Sequence, residues 1–169
     1  MKRNFSLREL TLYSLLGVLI FAAKMAMAQL PNIEPVSLMV ILLAVCCGWK
    51  GLSAVAVYVA LEIFMWGLDI WSVTYLYVWP ILFCLARLFR RMEYPLGWAV
   101  LSGAFGLLFG LLCIPVYAAV GGWHMVFSTW ISGIPYDLVH GVSNFLIALV
   151  AFVPLRDLLE KLKARRIRP

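Results

Sequence analysis

Long apolar runs, separated by short polar or proline-rich intervals, dominate the pattern of this chain. They cover about 10–30, 36–47, 52–68, 73–89, 96–119 and 135–153. A helix needs about 20 apolar residues to cross the hydrocarbon core of a bilayer. Lipid cannot hydrate an exposed backbone, so each run is predicted to be a helix. The intervals read as connections. They are the proline-bracketed Pro31-Asn32-Ile33-Glu34-Pro35, the glycine turn Gly48-Trp49-Lys50-Gly51, a short 69–72, the charged 90–95, and a long 120–133 carrying Gly121, Gly122, Trp123 and Trp130. Pro135 stands where the last helix is expected to start, a favourable first-turn position for proline. The run 36–47 is short for a full span, which implies a tilt or a start inside the preceding loop. A bend is expected near Pro80.

Charge orients this pattern. Thirteen of the 14 Lys and Arg residues fall at Lys2, Arg3 and Arg8, at Lys50, at Arg87, Arg90 and Arg91, and between Arg156 and Arg168. Basic residues mark the cytoplasmic ends of membrane helices. One orientation satisfies all four groups: six transmembrane helices with both termini in the cytoplasm. The expected fold class is therefore an all-α, polytopic membrane protein of one domain. Residues 1–9 form a cytoplasmic segment, 10–153 the bundle and 154–169 a basic, helical cytoplasmic tail. The expected location is the plasma membrane of a prokaryote, and the first apolar run reads as a membrane helix rather than a cleavable leader.

Composition narrows the function classes. The chain is 64% hydrophobic with a mean hydropathy of +0.97, and six helices leave no room for a soluble catalytic or nucleotide-binding domain. No P-loop, GxGxxG or HExxH pattern occurs. The net charge of +6 follows from the topological bias and calls for no nucleic-acid partner. Cys46, Cys47, Cys84 and Cys113 lie in apolar runs without CxxC spacing and read as buried thiols. No metal site and no cofactor are expected.

The polar residues inside the runs fall on stripes. Tyr58, Glu62, Trp66 and Asp69 follow helical spacing in the third run. Asp137, His140 and Asn144 do so in the sixth, with Tyr136 alongside. Tyr75 and Trp79 are one turn apart in the fourth, with Trp71 one turn earlier. Ionisable groups within a membrane face the bundle or a cavity, and most of these lie in the outer halves of their helices. The third, fourth and sixth helices are therefore expected to wall an outward-facing polar, aromatic cavity covered by the Asn32/Glu34 loop. Interfacial tryptophans occur whatever the function, so Trp71, Trp123 and Trp130 serve equally well as belt residues. His140 with Asp137 has an alternative as a packing hydrogen bond.

In the first run, Ala22 and Ala26 form an AxxxA pair, a small surface that permits close helix approach. Lys24 lies about 200° round the helix from Ala22, on the side of Tyr13, Gly17 and Ala28. If the alanine face meets another protein, Lys24 points into its own bundle, where Glu62 or a bound anion holds it. The alternative is a lysine reaching the outer surface. Gly106-xxx-Gly110 in the fifth run suits packing within the bundle.

Taken together, the chain resembles the substrate-binding S-component of an energy-coupling factor (ECF) transporter. The likeness rests on six helices over nearly the whole length, cytoplasmic termini, AxxxA on the first helix and the polar first outer loop. The segments Leu30-Pro-Asn-Ile-Glu-Pro-Val-Ser-Leu38, Trp130-Ile-Ser-Gly-Ile-Pro-Tyr-Asp137 and His140-Gly-Val-Ser-Asn144 add to it. The resemblance implies high-affinity capture of a vitamin or related micronutrient near the outer face. It also implies a transmembrane coupling subunit contacting Ala22 and Ala26, two cytoplasmic ATPase subunits, and no ATPase activity in this chain. The loop 31–35 would gate the site, and the whole protein would topple to carry its ligand inward. The expected substrate-binding set is Lys24, Asn32, Glu34, Glu62, Trp66, Tyr75, Trp79, Tyr136, Asp137, His140 and Asn144. That mixture fits several B vitamins, a deazapurine or a corrinoid, and the resemblance leans to a cobalamin-like corrinoid with His140 or a cysteine as an optional cobalt ligand.

Two other classes compete. Ser102-Gly103 with His140-xxx-Asn144 is faintly similar to an intramembrane serine protease, but Val100 replaces the expected glycine, and the serine and histidine are expected near opposite ends of their helices. A solitary carrier is the third class, although the internal repeats usual in secondary transporters are absent.

Overall fold

The computed structural model describes residues 5–167, with side chains to residue 162. Lys2, Arg3 and Arg168, and the side chains of Lys163, Arg165 and Arg166, therefore lie outside the described part. Every regular element within it is helical. Among the described residues four stretches are long and apolar enough to cross a membrane: Leu7–Ala26, Val36–Trp66, Ile70–Leu88 and Pro95–Leu162. The second and fourth contain sharp breaks.

Helix α1 is Leu7–Ala26. Ser6 caps it, taking the Glu9 backbone N–H on its hydroxyl while Glu9 accepts the Ser6 N–H, a reciprocal box that starts the helix one turn earlier than the apolar run suggests. Its 20 residues span about 30 Å, the thickness of the hydrocarbon core. It also ends earlier than expected, at Ala26, and the chain turns through 27–33.

Helix α2 (Val36–Leu42) widens into a π turn over Leu43–Cys47 and tightens into a 3-10 turn at Gly48–Gly51. Gly48, at φ 65°, takes a conformation that side chains disfavour. A Cβ on Gly51 would stand 2.7 Å from the Leu43 carbonyl oxygen, so this reversal requires both glycines. Helix α3 (Leu52–Trp66) stops at Gly67, φ 83°. Helix α4 (Ile70–Leu88) is capped by Asp69, which accepts the Ser72 N–H at 2.7 Å. Asp69 therefore belongs to the start of α4, not to the polar stripe of α3.

Helix α5 (Pro95–Leu107) breaks at Leu108, a second departure from the uninterrupted fifth helix expected. The final element, Phe109–Ile167, is two helices meeting at Gly122 (φ 64°, ψ −167°). We call these α6 (109–121) and α7 (123–167). The expected 120–133 loop is thus mostly helix, and Pro135 lies inside α7 rather than at its start. Thr129 and Ser128 turn their hydroxyls onto the Met125 carbonyl, and Ser132 onto that of Thr129, so residues that look loop-like are accommodated within a helix.

Contacts fix the directions. Lys50, just before α3, meets Glu9 near the start of α1. Lys24 near the end of α1 meets Glu62 near the end of α3. The two helices are parallel and approach closely at Gly17: a Cβ there would lie 2.6 Å from the Ala54 carbonyl oxygen and 2.7 Å from Val57 Cβ. Helix α4 runs the other way, with Tyr75 beside Lys24 and Arg87 donating to the Ala44 carbonyl. Helices α5 and α6 pair antiparallel with α7 through Trp98–Phe152, Gly103–Phe145, Gly106–His140 and Gly110–Asp137. Gly106 and Gly110 pack inside the bundle, as their spacing suggests. The bundle thus has one end carrying Lys50, Arg87 and Arg156, and another where Glu34, Glu62, Asp69 and Asp137 gather around adjoining hollows.

Candidate ligand-binding site

At the carboxylate end, Lys24 Nζ lies 2.6 Å from Glu62 Oε2 and 3.4 Å from the Tyr75 hydroxyl, above the Tyr75 ring. This is the inward direction that the AxxxA geometry allows for Lys24. Glu62 is 2% exposed, and a carboxylate so buried holds its charge only with a close partner. Ala22 and Ala26 are exposed on the other side of α1.

The loop 31–35 covers this pair. Glu34 turns back over the start of α2, accepting from the Val36 N–H and from the Ser37 N–H and hydroxyl. The Pro35 N-cap position offers no side-chain acceptor of its own, so Glu34 supplies the acceptor that α2 lacks. Its Oε1 also lies 3.3 Å from His140 Nε2. Asn32 adopts a left-handed backbone, φ 57°, which asparagine tolerates better than most residues. Its carbonyl accepts the Ser143 hydroxyl at 3.0 Å. The loop is thereby fastened to both α2 and α7.

Aromatic rings line the interior. Tyr75 packs against Tyr58 and Trp79, Trp79 against Phe105 and Phe109, and Phe109 against Trp71 and the His140 ring. Three adjoining hollows open here, and Asn32 and Trp71 line all of them. The first, about 390 Å³, holds Lys24, Glu62, Trp66, Asp69 and Tyr75. The second, about 230 Å³, lies under the loop with Glu34, Tyr58, Trp79 and His140. The third, about 560 Å³, is bounded by Cys113, Tyr117, Trp130, Tyr136 and Asp137. Buried polar atoms without a protein hydrogen-bond partner include the Tyr58 hydroxyl, Glu62 Oε1 and Trp79 Nε1. Such atoms are costly unless something binds them.

Of the sequence-predicted residues, Lys24, Asn32, Glu34, Glu62, Trp66, Tyr75, Trp79, Tyr136, Asp137 and His140 therefore border these adjoining hollows. Trp66 and Tyr136 stand at their rim, more than half exposed. Asn144 borders none of the hollows; it is buried and donates to Ser37 Oγ at 2.9 Å, tying α7 to α2. Asp137 does not pair with His140. It accepts the Gly110 N–H at 3.2 Å, just past the break in the α5–α6 pass.

Sequence reasoning left out Phe109, Cys113, Tyr117 and, as a site residue, Trp71. Phe109 carried no signal of its own, because only the break at Leu108 and the close packing of Gly106 and Gly110 on α7 set it against His140. Ser102 is also nearer to His140 than expected, lying one turn from Gly106, which packs on the His140 backbone. Its hydroxyl has no protein partner, and His140 Nε2 faces Glu34 instead. Among the described residues no cluster of three or more His, Cys, Asp and Glu has metal-site geometry.

Compared with family models, curated proteins and solved structures, the chain matches none.

Proposed function

We propose that this protein is a membrane-embedded binding subunit that captures a vitamin-like small molecule, acting as the S-component of an ECF-type transporter. The observation that carries the reading is the half-buried Lys24 paired with the buried Glu62 beside unpartnered Tyr58, Glu62 and Trp79 atoms, roofed by a bonded loop and opening into hollows walled by aromatic rings. Aromatic walls with a few convergent polar groups are what a site for a small, ring-bearing ligand requires. Glu62 Oε1 accepts a ligand N–H, Trp79 Nε1 donates to a ligand oxygen or ring nitrogen, and Tyr58 does either.

In this reading the chain crosses the prokaryotic plasma membrane six times with both termini in the cytoplasm. The site faces outward, and the exposed Ala22/Ala26 face receives the coupling subunit. ATP is hydrolysed by the two partner ATPase subunits, and this chain performs no catalysis. Among the substrate candidates, a cobalamin-like corrinoid tests the upper limit of size.

The test is purification in mild detergent followed by mass spectrometry of the extracted small molecules, and calorimetry with the molecule found. The expected result is one ring-bearing nutrient at near-unit stoichiometry, bound about 5- to 150-fold more weakly by Glu62→Gln or Trp79→Ala, the range for losing one buried hydrogen bond. Wild-type affinity in both variants would remove the site from this region. Co-purification of ATPase subunits separates the ECF assembly from a solitary carrier.

A further inference from the structure

A second concave surface lies at the opposite end of the bundle, on the outward face of α4. It is about 1050 Å³ and runs from Leu76 and Tyr77 past Ile81 and Cys84 to Leu88, ending among Arg87, Arg90 and Arg91, with Trp49 as a side wall. The α4 stretch from 76 to 88 is about 18 Å long at helical rise. That is close to the ~15 Å depth of one leaflet's hydrocarbon layer. The groove is apolar along this length and cationic only at its mouth, and none of its lining residues is acidic. Arg90 and Arg91 are exposed there. Arg87 donates Nη1 to the Ala44 carbonyl and stands over the Trp49 ring, while its buried Nε has no protein acceptor. A charged donor left without an acceptor is costly to bury, and guanidinium groups suit phosphate oxygens in particular.

We propose that this groove is a binding site for one anionic glycerophospholipid, its phosphate among Arg87, Arg90 and Arg91 and one acyl chain along α4. Polarity and length both match: a single anionic group at the membrane surface, continued by about one leaflet of hydrocarbon. The site depends on the protein being in a membrane and is independent of what the carboxylate end binds.

Native mass spectrometry of the full-length protein, titrated with dioleoyl-phosphatidylglycerol or dioleoyl-phosphatidylcholine, tests it. Wild type is expected to retain one phosphatidylglycerol at least about tenfold better than phosphatidylcholine, the selectivity that surface cations give. Replacing both exposed arginines, Arg90→Gln with Arg91→Gln, should weaken phosphatidylglycerol about 30-fold and phosphatidylcholine, whose headgroup has no net charge, by less, so that the preference between the two lipids collapses. Ile81→Trp, which fills the groove without touching charge, should weaken both lipids. Arg8→Gln, outside the groove, should weaken neither. Equal retention of the two lipids by wild type would overturn the proposal. So would an unchanged preference in the double-arginine variant, or displacement of the lipid by millimolar inorganic phosphate. Intact helical circular dichroism in the arginine variant ensures that a loss is read as lost lipid binding and not as unfolding.

Discussion

The two ends of this bundle use buried side chains in opposite ways. Near the basic end, Trp98 stacks on Phe152 at 5.2 Å and gives its indole N–H to the Met92 carbonyl, while Phe83 and Leu82 are fully buried among apolar neighbours. Lys50 and the arginines there are partly or fully exposed. At the other end the bundle buries Glu62 and His140, leaves the Tyr58 hydroxyl, Glu62 Oε1 and Trp79 Nε1 without protein partners, against Arg87 Nε at the basic end, and keeps open space between rings. Packed apolar side chains stabilise a fold directly, whereas buried ion pairs seldom do better than the hydrophobic residues that would replace them. The carboxylate end therefore holds residues chosen for something other than stability.

The largest expected effect lies at that end. Lys24→Met leaves Glu62 buried and uncompensated and should cost about 3–5 kcal/mol, read as reduced thermal stability in detergent. Adding Glu62→Leu should recover most of that stability while ligand binding stays lost. If the double variant is no more stable than the single one, the pair is not the source of the cost. At the basic end, Trp98→Ala should also cost about 3–5 kcal/mol by emptying a packed site. There, ligand affinity per folded molecule should stay at the wild-type level, and a selective loss of affinity would erase the contrast between the ends.

Smaller effects sharpen it. Asp69→Ala removes the α4 cap and should cost about 1 kcal/mol. Burial tends to raise the Asp69 carboxyl, but hydrogen bonds from backbone N–H groups, that of Ser72 first, outweigh it and hold the group below its ordinary value. A carboxylate with a lowered folded-state pKa contributes its full stability above the ordinary carboxylate range and loses it as pH falls through the folded value. Wild type should therefore lose stability in acid, relative to Asp69→Asn, whose cap does not titrate; parallel pH curves for the two would refute this. Smallest for the protein itself is Ala22→Trp. On an exposed position it should change stability by no more than about 0.5 kcal/mol, while on the proposed reading co-purification with a coupling subunit should be lost.

Much of this arrangement was legible in the residues. Apolar runs located the helices because lipid admits no alternative backbone, and the helical repeat sent Lys24 to the side of α1 opposite Ala22. What escaped depended on single residues whose effect is set by geometry. Gly122 alone turns α6 into α7, so the cluster of glycines and tryptophans around it looked like a loop. Ser6 starts α1 through a cap outside the apolar run. Asp69 follows the α3 repeat by spacing, yet Gly67 ends that helix first and frees it to cap α4. Asp137 and His140 share a helical face, but each finds its partner on another element, which spacing within one helix does not reveal.

The fastening of the loop 31–35 is lopsided. Asn32 and Glu34 hold it to α7 and α2, while among the described residues no hydrogen bond or ion pair ties it to α3 or α4. A flap detaches first along the margin with the fewest bonds, because local opening costs what its broken contacts were worth. On the proposed binding reading, the loop would open first on its α3–α4 side and pivot on the α2–α7 seam, at the hollow lined by Trp66, Asp69 and Trp71 with Lys24 and Glu62 inside.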